Sequence, residues 1–244
     1  MGVERKVTEM ERKSDLFIIE VLRPEDYACF AADGLQLVSQ MQALGFDTRY
    51  VRAYTFDSFK RAIAQFKESK FKWLHLSCHG CENGVEFYEK KRWEDECKFD
   101  PDIITNADVA KAFWGSLLQC RMTLSGCKMG NAGFVKKMFE SNKGLQSLVA
   151  PIEDLKSDMA APLWLTYYSL LINRARSKYR GDNVKITSQD IGDVIESVTK
   201  CFWVPLAFNE YHPEKSADNP SPSVSRKVST FSSWKDEDKN FHVY

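Results

Sequence analysis

Two short apolar strings, each running into small residues and a reactive side chain, constrain the fold of this chain most. Residues 74–80 read LHLSCHG and residues 122–130 read MTLSGCKMG, which places His79 and Cys127 48 positions apart. Each string is typical of a buried strand that ends in a turn. Parallel strands of an α/β sheet end at one common edge, where sites form. The sequence therefore predicts that His79 and Cys127 meet at that edge.

Strands and helices alternate along most of the chain. Strands are predicted at 16–22, 48–54, 73–77, 121–124, 145–150 and 202–208, and helices at 24–45, 58–68, from 106 onward, 132–142, 157–178 and 187–200. A β-α-β order implies a parallel sheet with right-handed crossovers. Residues 81–106 interrupt the alternation, with a small hairpin predicted at 85–93 and an acidic loop after it.

Composition limits the classes of partner. The formal net charge is zero, with 28% charged and 43% hydrophobic residues, which argues against a nucleic-acid binder that acts through bulk charge. The longest apolar stretch, 159–172, contains Pro162 and is too short to span a bilayer. The first residues lack the apolar core of a signal peptide. We therefore expect a cytoplasmic protein without membrane or nucleic-acid partners, whose seven cysteines remain thiols.

The sequence predicts three regions. Residues 1–14 form a charged leader, residues 15–210 form one α/β domain, and residues 211–244 form a flexible tail rich in serine, proline and lysine.

The two strings resemble those of a known family. The pattern His-x-x-x-His-Gly at 75–80 and the pattern Leu-Ser-x-Cys-x-x-Gly at 124–130 are similar to those of caspase-like (clan CD) cysteine peptidases, in particular the CHAT subgroup. Caspases place the histidine about 50 residues before the cysteine. The resemblance covers residues 15–210 and implies a caspase-like three-layer α/β/α sandwich with a mostly parallel central sheet. Gly126 departs from the alanine that usually precedes the cysteine.

The residue types at the two strand ends suit thiol catalysis. A cysteine needs a nearby base to become a nucleophile at neutral pH, and His79 is the candidate base for Cys127. The backbone N–H groups of Gly80 and Cys127 are candidate donors for an oxyanion hole. The competing interpretation makes Cys127 a small buried apolar residue and His79 a turn residue. Because both residues follow strands and both have a neighbouring glycine, we favour a catalytic dyad.

Candidate substrate-binding residues follow from the resemblance. Asp154 and Asp158 match aspartates that related sequences place near the first specificity pocket, where a buried carboxylate would select a basic side chain. Ser125 stands two residues before the cysteine, where relatives that prefer arginine carry an acidic residue. The alternative is that Asp158 caps the following helix and Asp154 lies in a solvated turn.

The remaining histidine and cysteines near the first string are expected to be structural. We expect His75 to be hydrogen-bonded to backbone. A zinc site at Cys78 and Cys81 is disfavoured because the sequence has no second Cys-x-x-Cys pair. No metal and no cofactor are predicted.

The resemblance implies a cysteine endopeptidase that cleaves a protein substrate, is activated by a partner protein and acts in prokaryotic stress or antiviral defence. Two alternatives remain open at this point. One is a catalytically inactive CHAT-like scaffold that binds peptides. The other is an acyl hydrolase that uses the same thiol on a non-peptide substrate.

Overall fold

The computed structural model describes most of the chain. The described residues are 15–28, 32–69, 71–88, 102–178, 186–212, 223–230, 234–236 and 241–242. The predicted leader at 1–14 lies outside these ranges, as does part of the hairpin predicted at 85–93.

The elements follow one another in the predicted order. The first are β1 (Asp15–Val21), α1 (Pro24–Ala28), α2 (Asp33–Ala43), β2 (Asp47–Arg52), α3 (Phe56–Ser69), β3 (Trp73–Cys78), β4 (Gly80–Cys81), β5 (Gly84–Phe87), β6 (Asp102–Thr105) and α4 (Asn106–Ala112). They continue with β7 (Cys120–Ser125), α5 (Ala132–Ser141), β8 (Leu145–Pro151), α6 (Ser157–Lys178), α7 (Ser188–Phe202), β9 (Leu206–His212), β10 (Ser223–Ser229), β11 (Trp234–Asp236) and β12 (Phe241–His242). The predicted alternation is confirmed with ends shifted by a few residues, except that the single helix predicted at 24–45 is two helices, α1 and α2.

A mostly parallel sheet forms the centre of the molecule. Its strand order is β11-β10-β9-β8-β7-β3-β1-β2, and β12 pairs with β10. The five strands β8, β7, β3, β1 and β2 are mutually parallel, whereas β9 runs antiparallel to β8 and β10 antiparallel to β9. Strands β4, β5 and β6 form a separate small antiparallel sheet next to the end of β3.

Helices cover both faces of the sheet. Alternate residues of β1 point to opposite sides, so that Phe17 packs with the helices α3, α4 and α5, whereas Ile18 packs with α2, α6 and α7. Both side chains are fully buried. The predicted three-layer α/β/α class with a mostly parallel sheet is confirmed. None of the helices in the described ranges is long and apolar enough to cross a bilayer.

One predicted boundary differs from the structure. Residues 223–229, which the sequence analysis assigned to a flexible tail, form β10 and pair with β9 along seven residues. Val224 and Val228 of this strand are buried, and Arg226 is also buried and donates to the side chain of Asn209 at 3.1 Å. The strand was missed because only two of its seven residues are apolar and its buried positions include an arginine.

A buried polar cluster lies between the sheet and the helices α2 and α6. Nδ1 of His75 is 3.1 Å from the hydroxyl of Tyr168, and Nε2 is 3.4 Å from Oδ2 of Asp33. The Ser77 hydroxyl donates to the other oxygen of Asp33. His75 is fully buried and structural, as expected, but its partners are side chains, since α2 begins with a carboxylate directly over β3.

Glu20 belongs to the same cluster. Its carboxylate accepts hydrogen bonds from the backbone N–H of Gly34, at 2.7 Å, and from the hydroxyl of Tyr50. Burial, reinforced by the negative charge of Asp33, raises the pKa of Glu20 from 4.5 to about 7, against the opposing effect of the hydrogen bond from Tyr50. The folded protein therefore holds Glu20 protonated at acidic pH.

This raised pKa predicts a pH dependence of stability. The pKa of Glu20 is higher in the folded state than in the unfolded state, so protonated Glu20 stabilises the folded state. The free energy of unfolding is therefore expected to fall by up to about 3 kcal/mol as pH rises from 4.5 through 7. We expect Glu20→Gln to remove most of this loss, as measured by urea unfolding across that pH range. The exposed Glu68→Gln is the control, and an unchanged pH profile in Glu20→Gln would contradict the prediction.

Candidate active site

His79 and Cys127 lie at the same level of the sheet. Strands β3 and β7 are neighbours and parallel, and their last paired residues are Ser77 and Ser125. His79 and Cys127 each follow two residues after that pair. The structure therefore brings the two predicted residues to one edge of the sheet, as the sequence pattern indicated.

The loops that follow β3 and β7 are in close contact with each other. A Cβ atom added to Gly80 would lie 3.0 Å from the carbonyl oxygen of Cys127 and 2.6 Å from the sulfur of Met129. One added to Gly126 would lie 3.0 Å from the sulfur of Cys78 and 3.1 Å from its carbonyl oxygen. The two glycines thus allow the backbones after β3 and β7 to pack directly on each other. At Gly126, the sulfur and the carbonyl oxygen of Cys78 leave little room for a methyl group.

The turn that carries Cys127 is held by backbone hydrogen bonds to the last residue of β8 and to the loop after it. Lys128 has a left-handed φ of 57°, and its N–H donates to the carbonyl of Glu153 at 3.0 Å. Gly130 N–H donates to the carbonyl of Pro151 at 2.7 Å. Asn131 then caps α5 by accepting from the N–H of Phe134. These bonds fix the position of the thiol relative to the ends of β7 and β8.

Asp26, which the sequence analysis did not identify, is hydrogen-bonded to His79. Its Oδ2 lies 2.7 Å from Nε2 of His79 and also accepts from the backbone N–H of Arg23 at 2.8 Å. An ionised carboxylate can only accept, so Nε2 carries the hydrogen and Nδ1 is left as the basic nitrogen. The signal for Asp26 was its place just after Pro24, at the carboxyl end of β1 and hence at the same sheet edge.

The guanidinium of Arg23 anchors the loop of His79 from the other side. It donates to the carboxylate of Glu86 at 2.9 Å and to the hydroxyl of Tyr88 at 3.2 Å. The N–H of Glu86 in turn donates to the carbonyl of His79 at 3.0 Å. The hairpin formed by β4 and β5 and the start of α1 therefore hold His79 between them.

The Cys127 thiol is half-buried and hydrogen-bonded to one backbone residue. Its sulfur accepts from the N–H of Leu155 at 3.3 Å, and the thiol is 3.5 Å from the carbonyl oxygen of Leu155. Among the described residues, no hydrogen bond joins this sulfur to the ring of His79. The base and the thiol each have another partner in this arrangement.

The neighbouring thiol of Cys78 differs in its environment. Cys78 is buried in the opposite core layer, with α3, α4 and α5, and burial raises the pKa of its thiol far above the ordinary value. A thiol of this kind stays protonated and unreactive. Cys127, which is half-buried at the sheet edge, is therefore the better candidate nucleophile of the two.

Within the part of the chain that the structure describes, the backbone N–H groups of Gly80 and Cys127 make no hydrogen bond to β5 or within the Cys127 turn. The bond from Glu86 N–H to His79 O makes Gly80 and Val85 a non-hydrogen-bonded pair, so β5 does not use the N–H of Gly80. Among the described residues, no hydrogen bond is seen from the N–H of Cys127 either. Both groups are the ones that the sequence analysis assigned to an oxyanion hole.

The three predicted substrate-binding residues are placed differently from one another. Ser125 is buried, and its hydroxyl has no hydrogen-bond partner among the described residues. Asp154 is 73% exposed and lies 3.7 Å from the ammonium of Lys128. Asp158 is exposed in the first turn of α6. The predicted pocket required a buried carboxylate, but Asp154 and Asp158 are both exposed. Their part in substrate binding stays a prediction.

Comparisons with known proteins concern the fold. No family model matches the sequence, and no curated protein does. One solved structure that resembles this chain is the X-ray structure of a secreted C11 cysteine protease from Bacteroides thetaiotaomicron in complex with an irreversible peptide inhibitor. It is 12% identical, with a TM-score of 0.49, over 91% of this chain and 67% of that chain. A likeness of this degree identifies neither site residues nor an activity.

The close packing of the Cys127 turn predicts a cost for a methyl group at Gly130. An added Cβ would lie 2.7 Å from the carbonyl oxygens of both Ala150 and Pro151, which are backbone atoms of β8. We expect Gly130→Ala to lower the free energy of unfolding by about 1–3 kcal/mol, measured by urea denaturation. Gly192→Ala is the control, because nothing lies within 4 Å of its Cβ and α7 should gain stability. Equal stability of Gly130→Ala and the wild type would contradict this packing.

Proposed function

We propose that this protein is a cysteine endopeptidase in which His79 and Cys127 form the catalytic dyad. One observation carries the proposal: His79 and Cys127 each lie two residues beyond the paired Ser77 and Ser125, on adjacent parallel strands. The loops that follow these strands pack on each other. The hydrogen bond from His79 to a carboxylate adds to it, because a base held in one tautomer suits proton transfer.

The reaction would proceed by acyl transfer to the thiol. Nδ1 of His79 takes the proton of Cys127, and the thiolate attacks the carbonyl carbon of the scissile peptide bond. The N–H groups of Gly80 and Cys127 donate to the resulting oxyanion. The C–N bond then breaks, the amine leaves with the proton from His79, and a thioester remains. Water attacks the thioester with His79 as base, which releases the carboxylic acid product and restores the thiol.

Asp26 would act as a positioning residue. Its carboxylate holds the ring by Nε2 and stabilises the imidazolium that forms when Nδ1 accepts the thiol proton. Asp26 is itself held by the N–H of Arg23, so the orientation of the ring derives from the start of α1.

The contacts of the thiol support a resting state. For His79 to receive the proton, the sulfur of Cys127 has to leave Leu155. Leu155 belongs to the loop between β8 and α6, which Lys128 also holds through Glu153 O and the carboxylate of Asp154. Displacement of this loop by a partner protein is our proposal for activation. The resemblance to CHAT domains extends the proposal to cleavage of a protein substrate in prokaryotic stress or antiviral defence, in the cytoplasm.

Substrate selection is proposed from the same edge of the sheet. Ser125 stands two residues before Cys127, and its buried hydroxyl, which has no hydrogen-bond partner among the described residues, would contact a substrate only after the surrounding loops open. Asp154 and Asp158 favour a basic residue next to the scissile bond, but exposed carboxylates discriminate more weakly than buried ones.

A peptide-binding scaffold without catalysis is the second candidate. The pairing of the thiol with Leu155 instead of His79 favours it, since a site that never leaves this arrangement would bind a peptide without cleaving it.

Loss of either dyad residue should abolish cleavage. With a diverse peptide library and candidate partner proteins, we expect Cys127→Ala and His79→Asn to lower hydrolysis at least about a hundredfold, because each removes a group that forms or breaks a bond. The readout is mass spectrometry of the products, together with iodoacetamide labelling of Cys127 at neutral pH. Cys201→Ala, which removes an exposed thiol far along the chain from the dyad, is the control. If no partner leads to cleavage and Cys127 resists alkylation, the peptidase proposal is overturned. Peptide binding that persists in Cys127→Ala would then support the peptide-binding scaffold.

Removal of the charge at Asp26 should slow the chemical step. Asp26→Asn keeps the size and an acceptor oxygen but cannot stabilise an imidazolium, so we expect kcat to fall at least about tenfold with KM unchanged. Glu25→Gln removes the same charge from the adjacent position of α1, where the side chain is exposed, and should leave kcat unchanged. A fall in thermal stability with parallel changes in kcat and KM would instead assign Asp26 a purely structural part.

A further inference from the structure

The connection between α4 and β7 exposes two large apolar side chains. Trp114 is 78% exposed and Leu118 is 68% exposed. Single exposed apolar residues are ordinary, but a tryptophan and a leucine beside the same depression form a patch of the kind that marks interaction sites. We call Trp114, Leu117, Leu118, Asn142 and Gly144 the Trp114 patch; they line a shallow pocket of about 290 Å³.

The backbone under the Trp114 patch is firmly held. Phe113 and Leu117, the neighbours of the exposed pair in sequence, are buried in the core and anchor the connection. The N–H of Trp114 donates to Lys111 O at 3.0 Å, and the N–H of Gln119 donates to Gly144 O at 2.7 Å. The exposed side chains therefore sit on an ordered support, which lowers the entropy lost when a partner binds.

Lysines surround the Trp114 patch. The ammonium of Lys72 donates to Leu118 O at 3.2 Å. The ammonium of Lys67 lies 3.8 Å from the position that a Cβ atom on Gly115 would take. Lys143 lines the pocket itself. The acidic side chain at the rim, Glu140, is 3.7 Å from the ammonium of Lys136. The charge around the apolar centre is therefore positive and complements carboxylates.

The patch is separate from the candidate active site. It adjoins Cys120, the first residue of β7, whereas Cys127 follows the last residue of that strand. A strand of this length separates its two ends by roughly 20 Å. A partner seated on the Trp114 patch would leave the thiol accessible.

We propose that the Trp114 patch is a docking site for a protein segment that carries a bulky apolar side chain flanked by aspartate or glutamate. The apolar side chain fills the pocket beside Trp114, and the carboxylates of the segment pair with Lys67 and Lys143. A protein segment is favoured over nucleic acid because the chain has no net charge and the centre of the patch is an apolar depression. This proposal does not depend on the dyad.

Binding of short labelled peptides to the full chain tests the proposal directly. The probes are peptides of about a dozen residues with a central Leu, Phe or Trp between Asp and Glu residues, and a matched set with Lys in place of the acids. Fluorescence polarisation should detect at least one acidic probe with a Kd in the micromolar range, weakened by salt, and bound at least about tenfold more tightly than its lysine counterpart.

Variants then locate the binding site. Trp114→Ser and Leu118→Ser should each weaken the acidic probe about tenfold or more, and Lys143→Glu about threefold. Trp203→Ser, which removes another exposed tryptophan (71% exposed), should change nothing. Failure of all acidic probes to bind, binding that survives Trp114→Ser, or equal binding of the lysine set would overturn the proposal. Trp114-dependent binding of anionic vesicles or single-stranded DNA with no peptide binding would overturn it in favour of those partners.

Iodoacetamide labelling of Cys127 separates this result from the peptidase proposal. Trp114→Ser should leave the labelling rate in the absence of a partner unchanged, so a failure of docking and a failure of catalysis are read out independently.

Discussion

The parallel pairing of β3 with β7 is the constraint on which the rest of the site depends. Because Ser77 and Ser125 are opposite each other, the residues that follow them leave the sheet at the same level. A slip of one residue in this register would turn each side chain of a strand to the other face. His79 and Cys127 would then no longer be placed on the same side of the sheet edge, whatever the rest of the fold retained.

The segment from α1 to the start of α2 supplies a carboxylate to each histidine of the first string. Asp33 meets His75 inside the protein, and Asp26 meets His79 at the edge. Burial distinguishes the two pairs. His75 is enclosed by aromatic rings, including that of Trp164 at 5.7 Å between ring centres, whereas the side chain of His79 is 34% exposed. One histidine is enclosed in the core, and the other is partly open to solvent.

The two ends of β7 have different surroundings. At its carboxyl end, the backbone N–H groups of Lys128 and Gly130 donate to carbonyls at the end of β8 and just after it, and glycines let the Cys127 turn pack closely on the loop of His79. At its amino end, an ordered turn presents apolar side chains among lysines. The proposed thiol chemistry and the proposed docking of a protein segment would therefore occupy opposite edges of one sheet.

The sequence by itself determined the α/β alternation and the joint placement of His79 and Cys127, because both follow from local patterns: apolar strands, turn glycines and the shared edge of parallel strands. Only the tertiary structure decided the partners of those residues. Asp26 meets His79 across 53 positions, β10 joins the sheet although its buried face includes Arg226, and Asp154 pairs with Lys128 at the surface. Such contacts depend on how distant elements pack, and no periodicity within a single segment records them.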